Sequence, residues 1–289
     1  MARILITGAN GQVSTATITA LKGMGHQVIG LVRDRLKGER LGIEFRVGEL
    51  GRPRSLEGAF DGIDTAFLLT APTDAAPYQM SNALWAARRA GVKHVVRMSA
   101  IGAAPGVPNL NGRLHALSDR ELAASGVEHT ILQPHFFWQN LLFSAPTIAQ
   151  EGAMYWALGE AALPAIDVED VGAVAARILS NPRSHAGMTY TLTGGEAITM
   201  HQAATAIGEA IGKRVRYVPI ALETMIEGLS RMGVGDYVEV AYRDYMSLYA
   251  QGWRSQVTDT VKRILRRPPR SIGDFARRHS GAFVSSAGA

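Results

Sequence analysis

A chain of 289 residues, 47% of them hydrophobic and 31 of them glycine, is long enough for one large α/β domain or for a domain with a smaller companion. The absence of cysteine excludes disulfides, thiolate metal sites and cysteine nucleophiles, and is compatible with a cytoplasmic protein. No apolar run reaches the length of a membrane span, and the formal net charge of +5 raises a nucleic-acid reading that depends on where the cations lie.

Residues 3–21, RILITGANGQVSTATITAL, read as a strand, a glycine turn and the start of a helix. Ile4, Leu5 and Ile6 show no polar alternation, as in a strand buried on both faces of a parallel sheet. This run is short and passes straight into the turn, so it is expected to be a strand and not a targeting segment. Gly8 and Gly11 bracket Ala9 and Asn10, and Gln12 and Val13 open the helix. The spacing is G-x-x-G-x-x-S, with Ser14 where a dinucleotide fingerprint has its third glycine. A tight strand-to-helix connection explains such a turn, and so does a phosphate cradle. Its place after a buried strand, with a second strand at residues 26–31, favours the cradle. That second strand ends in Val32-Arg33-Asp34-Arg35. Arginine in this position favours a 2′-phosphate and therefore NADP, Asp34 leaves NAD as an alternative, and a solvated basic loop is the plainer reading.

Strand signals follow at residues 44–47, 65–69, 94–98 and 129–132, with helices over 55–60, 78–90 and 114–124. The alternation predicts an α/β fold of Rossmann type, a doubly wound parallel sheet. Ligands bind such sheets beyond the carboxyl ends of the strands. That singles out Thr70, Ala71 and Pro72, then Ser99 and Ala100, then Gln133, Pro134, His135 and Phe136, beside the turn and Arg33. Pro146, Gly152, Gly159 and Pro164 punctuate a loop-rich insertion at about residues 145–165. A helix to Leu179 and a strand at 189–192 come next. From residue 199 the chain reads as a smaller, mainly helical unit, with helices over 200–211 and 222–232 around a strand at 215–219. The expected domains are therefore 1–198, binding the dinucleotide, and 199–289, on the substrate side. The tail 285–289 is expected to fray. Lys262, Arg263, Arg266, Arg267, Arg270, Arg277 and Arg278 alternate with Val261, Ile264, Leu265, Ile272 and Phe275, the pattern of a solvated face on amphipathic helices. No nucleic-acid partner and no membrane are expected from it.

Short-chain dehydrogenases rely on a tyrosine with a lysine four positions on. Here no tyrosine lies between Tyr78 and Tyr155 and no lysine between Lys93 and Lys213. Ser99, where such enzymes keep a hydroxyl donor, is expected to contact the nicotinamide or ribose. The segments TGANGQVS, LVRD, MSAIGA, HALSDRELAASGVEHTILQPHFFWQNLL, IDVEDVGAVAARIL and YTLTGGEAIT, in this order, resemble the NmrA-like branch of the atypical short-chain dehydrogenase/reductases. The likeness is to its quinone, azo-dye and triphenylmethane-dye reductases. It implies a Rossmann domain that binds NAD(P)(H), a C-terminal unit forming a wall of the substrate cleft, and hydride transfer to an electron-poor aromatic acceptor. The alternative within the family is a redox sensor that holds the dinucleotide without turnover.

Candidates for proton supply are His115, which matches the relatives' histidine, then Arg120, Ser99 and His135. The relatives carry an acid and a lysine after that histidine where Asp119-Arg120 stand here, and arginine does not readily release a proton. Phe137, Trp138, Tyr155 and Trp156 are candidates for flat surface against an aromatic acceptor, with a place in the core as their plainer role. No metal is expected, and a monomer and a homodimer both remain open.

Overall fold

Seven parallel strands carry the first of two units in the computed structural model, which describes residues 1–284; the tail 285–289, expected to fray, lies outside the described residues. The strands are β1 (Arg3–Thr7), β2 (Gln27–Val32), β3 (Glu44–Val47), β4 (Thr65–Leu68), β5 (His94–Met98), β6 (Glu128–Pro134) and the strand Thr189–Leu192. Their order is β3-β2-β1-β4-β5-β6 followed by Thr189–Leu192. Every pairing is parallel. The chain winds outward in both directions from β1, so the switch point, and the crevice where such sheets bind ligands, lies beyond the carboxyl ends of β1 and β4.

Ile4, Leu5, Ile6, Phe67 and Leu68 are fully buried, which is why their segments show apolar runs and no alternation. The flanking helices are α1 (Gln12–Leu21), α2 (Arg35–Glu39), α3 (Ala76–Arg89), α4 (Leu110–Ala124) and the helix Val168–Ser180. The last of these presses so closely on α1 that a Cβ on Gly172 would lie 2.6 Å from Ala16. A larger residue there would overpack the contact, at about 1–3 kcal/mol.

Two local expectations shift. Residues 55–60 do not form a helix: a single 3-10 turn spans Pro53–Leu56, and Leu56 and Phe60 are buried in the same core cluster as Leu5, Ile29 and Leu31. α4 starts at Leu110 because the Asn109 side chain accepts the Gly112 N–H at 2.5 Å, a cap ahead of the apolar periodicity.

The second unit contains His135–Asp167 and the chain from Thr193 on, while Val168–Leu192 returns to the first. Residues 145–165, read from the sequence as a loop-rich insertion in a domain running to 198, hold the helix Ala145–Glu151 and the strand Ala153–Trp156. That strand pairs in parallel with Arg216–Pro219. A partner some sixty residues away leaves no mark in the local pattern. Helices Met200–Ile211, Leu222–Arg231, Asp236–Ala250, Thr260–Leu265 and Ile272–Arg278 complete most of this unit. Among its C-terminal cations, Arg263 pairs with Asp259 at 3.1 Å, Arg277 with Asp274 at 2.7 Å, and Arg278 with the buried carboxylate of Asp167. Val261, Ile272 and Phe275 are buried beneath them. No helix of the described residues is long and apolar enough to cross a membrane.

Candidate active site

In the first unit the site starts at the turn between β1 and α1. Gly8 adopts a φ of +56°, open to glycine and rarely to other residues. The Gly11 N–H donates to the Gly8 carbonyl at 2.8 Å, and a Cβ on Gly11 would stand 3.2 Å from that oxygen. Gly8, Asn10, Gly11 and Gln12 are exposed and Val13 is half-buried. α1 has neither a capping side chain nor an acid in its first turn, so its leading N–H groups and positive dipole end are free for an anion. Ser14 takes the place of the third glycine by burying its hydroxyl and donating it to the Thr7 carbonyl at 3.0 Å, which draws α1 onto β1. The backbone thus fits the pyrophosphate of a dinucleotide.

Arg33 is exposed at the end of β2. Asp34 is occupied as the N-cap of α2, accepting the Leu36 N–H at 2.8 Å. Next to Asn10 opens a cavity of about 410 Å³, bordered also by Thr15, Thr19, Lys22, Lys37 and Arg40. Lys37 and Arg40, one and two turns beyond Arg33, escaped notice in the sequence. At β4 the Thr7 hydroxyl donates to the Leu69 carbonyl at 2.8 Å and accepts the Leu69 N–H at 2.7 Å. This clamp fixes the departure of half-buried Thr70 and exposed Ala71 and Pro72.

Beyond β5 the residues form a polar network. Arg97, 1% exposed, donates from Nε to Asp119 Oδ1 at 2.5 Å and from Nη1 to the Met98 carbonyl at 3.1 Å. Its Nη2 lies 3.1 Å from His115 Nδ1 and 3.3 Å from the His115 carbonyl. Ser99 donates to Asp119 Oδ2 at 2.6 Å. Burial first, then the neighbouring Arg97 charge, pushes the His115 imidazole down to about 3. At neutral pH it therefore holds no spare proton, so the expectation of His115 as a stored acid does not fit its surroundings. Arg120 is exposed on α4, and Gln133 donates to the Ala103 carbonyl at 3.3 Å. The sequence had a signal for this network: Arg97 is the lone arginine or lysine of an apolar strand, two residues before Ser99, and Asp119 follows His115 by one helical turn.

In the second unit His135 is 3% exposed. Its Nδ1 accepts the Phe136 N–H at 2.7 Å, and its ring stacks on Tyr249 with centroids 4.9 Å apart. Burial lowers its pKa to about 3, the Arg254 backbone opposing the shift. Tyr249 stacks in turn on Tyr245 at 5.4 Å. These tyrosines lie more than a hundred residues from His135, and nothing local foretold the stack. Trp138 and Trp156, expected as candidate surface for an acceptor, are 2% and 3% exposed. Trp156 donates to Ser144 Oγ at 3.0 Å and meets Phe136 edge-on, which makes it core. Phe137 and Tyr155 remain half-buried, the Tyr155 hydroxyl donating to Glu151 at 2.5 Å. The described residues hold no group of three or more side chains suited to a metal ion.

Sheet order, uncapped glycine turn and basic rim together define a Rossmann-type dinucleotide-binding protein. The profile of the NmrA-like family matches residues 1–249, and the chain belongs to that family. It is 36% identical over 284 residues to the NAD(P)H azoreductase of Xenophilus azovorans, covering 97% of this chain and 99% of that protein. Among solved structures it resembles the NADPH-dependent quinone oxidoreductase of Escherichia coli complexed with NADPH. There the TM-score is 0.85 at 26% identity, over 95% of this chain and 99% of the other. The triphenylmethane reductase of Citrobacter sp. shares the fold, with a TM-score of 0.83 at 21% identity over 96% and 99% of the two chains.

Proposed function

We propose that this protein is an NADPH-preferring reductase that passes a hydride to an electron-poor aromatic acceptor, a quinone or an azo compound. The observation that carries the reading is the uncapped, acid-free start of α1 behind Gly8 and Gly11, flanked by exposed Arg33. Likeness to an NAD(P)H azoreductase and an NADPH-dependent quinone oxidoreductase supports the acceptor class. Gly8, Asn10, Gly11, Gln12 and Val13 would hold the pyrophosphate. Arg33, with Lys37 and Arg40 beside it, would take the 2′-phosphate, Asp34 being engaged as a cap. Thr70, Ala71, Pro72, Ser99, Ala100, Gln133 and Pro134 would line the rest of the cofactor's path, and Phe137 and Tyr155 are the accessible candidates for the acceptor.

Bound NADPH supplies the hydride, which carries both electrons to the acceptor, and the reduced acceptor takes up one further proton. The protein's share is placement and the stabilisation of developing charge, which accords with the missing tyrosine–lysine pair. The first unit is then the cofactor unit and the second the substrate unit, working in the cytoplasm. The missing pair also keeps a second reading in play, a sensor that binds the dinucleotide without turning it over.

Steady-state NADPH oxidation against quinones, azo dyes and activated enones separates the two. Turnover is expected with at least one class, whereas tight NADPH binding with no oxidation by any of them supports the sensor. Arg33→Ala should weaken NADPH by about 1.5–3 kcal/mol, the worth of a hydrogen bond to a charged group, and leave NADH unchanged. Equal loss for both cofactors would remove Arg33 from the 2′-phosphate.

A further inference from the structure

Arg97 is the most deeply buried cation of the first unit and lies two residues before Ser99. A guanidinium has donors only. With Arg97 Nη2 at 3.1 Å, His115 Nδ1 must therefore be the acceptor, and the single proton of the neutral ring stands on Nε2. A doubly protonated ring would set N–H against N–H and charge against charge at that distance. The charged neighbours are few. Arg97 faces His115 from β5; Asp119, on the same helix as His115, spends its two oxygens on Arg97 and Ser99; the charge of Glu121 acts on Arg97. Among the described residues nothing acidic is bonded to the imidazole to draw a second proton onto it.

We propose that Arg97 is a positioning residue that fixes His115 as the neutral Nε2–H tautomer. In this role His115 stabilises the anion developing on the acceptor as a hydrogen-bond donor, and solvent supplies the proton. The same network turns Ser99 round. Its hydroxyl proton is committed to Asp119 at 2.6 Å, so its oxygen meets a ligand as an acceptor and not as the donor that the sequence suggested. The donor role rests on the reductase reading given above, whereas the tautomer does not depend on it.

The test has two arms that fail separately. In the first, two-bond proton–nitrogen correlation spectra of the 15N-labelled full chain follow the His115 ring, identified by its loss in His115→Gln. The neutral Nε2–H pattern is expected unchanged between about pH 5 and pH 8. An Nδ1–H pattern, or an imidazolium growing in with a midpoint near the ordinary value of about 6.5, would overturn the assignment. Arg97→Met should release the ring into mixed tautomers and move its titration upward, which a residue with a merely structural role would not do. If that variant does not fold, the spectrum of the unaltered protein still decides.

The second arm is the rate of NADPH oxidation. A profile flat over the same pH range is expected, with a loss of about 10²-fold in His115→Phe, the worth of one donor to a developing anion, and a smaller loss in His115→Gln, which keeps an N–H. A His115→Phe rate equal to the unaltered protein's would overturn the donor role. Absence of turnover in the unaltered protein would overturn the reductase reading and the donor role together, leaving the tautomer to the spectra.

Discussion

His115 in the first unit and His135 in the second are both held down to about 3, and the causes differ. At His115 desolvation is joined by a fixed positive charge 3.1 Å away, inside a network that also ties down Asp119 and Ser99. At His135 desolvation acts against a weak opposing contact, and the ring is held by stacking and by the neighbouring Phe136 N–H. Two equally depressed histidines are thus chemically unlike. One is wired to charges and can be retuned by altering them, whereas the other is packed and answers to shape.

The largest effect that would break this contrast is on stability. Arg97→Met leaves Asp119 as a carboxylate without its buried partner, and the expected loss is about 3–5 kcal/mol in urea unfolding. Arg97→Met combined with Asp119→Leu should lose less than Arg97→Met alone, because no charge is then stranded. If the double variant is the weaker of the two, the network is not held by its ion pair.

Acid unfolding sharpens the comparison at the next level. The unfolded chain binds a proton to each histidine below about 6.5, while the folded protein refuses it down to about 3. Stability is therefore full above the ordinary histidine value and falls as the pH drops through it, by up to about 2 kcal/mol per histidine at about pH 5. Burial lowers His94 and His185 as well, and they add in the same direction. His135→Phe should make the slope shallower. Arg97→Met, if it folds, should also do so by letting His115 accept a proton. An unchanged slope in both would mean that neither ring is neutral for the reason given.

The smallest expected effect is that of Tyr249→Phe. The stacked ring is kept and only a hydroxyl is lost, so the change should stay below about 1 kcal/mol and leave the His135 titration where it was. A larger loss would show that His135 also depends on a polar partner.

What the sequence revealed follows the range of the interactions concerned. The turn from Gly8 to Ser14, the alternation that makes a doubly wound parallel sheet, and the position of Arg33 after the second strand were legible because each depends on a few adjacent residues and on steric rules that admit few alternatives. His115 was legible as a position and not as a chemical state, since its tautomer depends on Arg97, 18 residues earlier on the preceding strand. Arg97 itself was visible only as an odd cation in an apolar strand. The pairing of Ala153–Trp156 with Arg216–Pro219, and the tyrosines under His135, were not legible at all, because nothing within either segment records its partner.

The most direct measurement is a single turnover: enzyme loaded with NADPH is mixed with an electron-poor quinone, and the loss of the reduced nicotinamide absorbance is followed at several pH values. The account predicts oxidation of the bound cofactor at a rate constant that does not change between about pH 5 and pH 8. Bound NADPH left unoxidised by quinone and azo acceptors alike, or a rate that falls as a group near about 6.5 loses its proton, would contradict it.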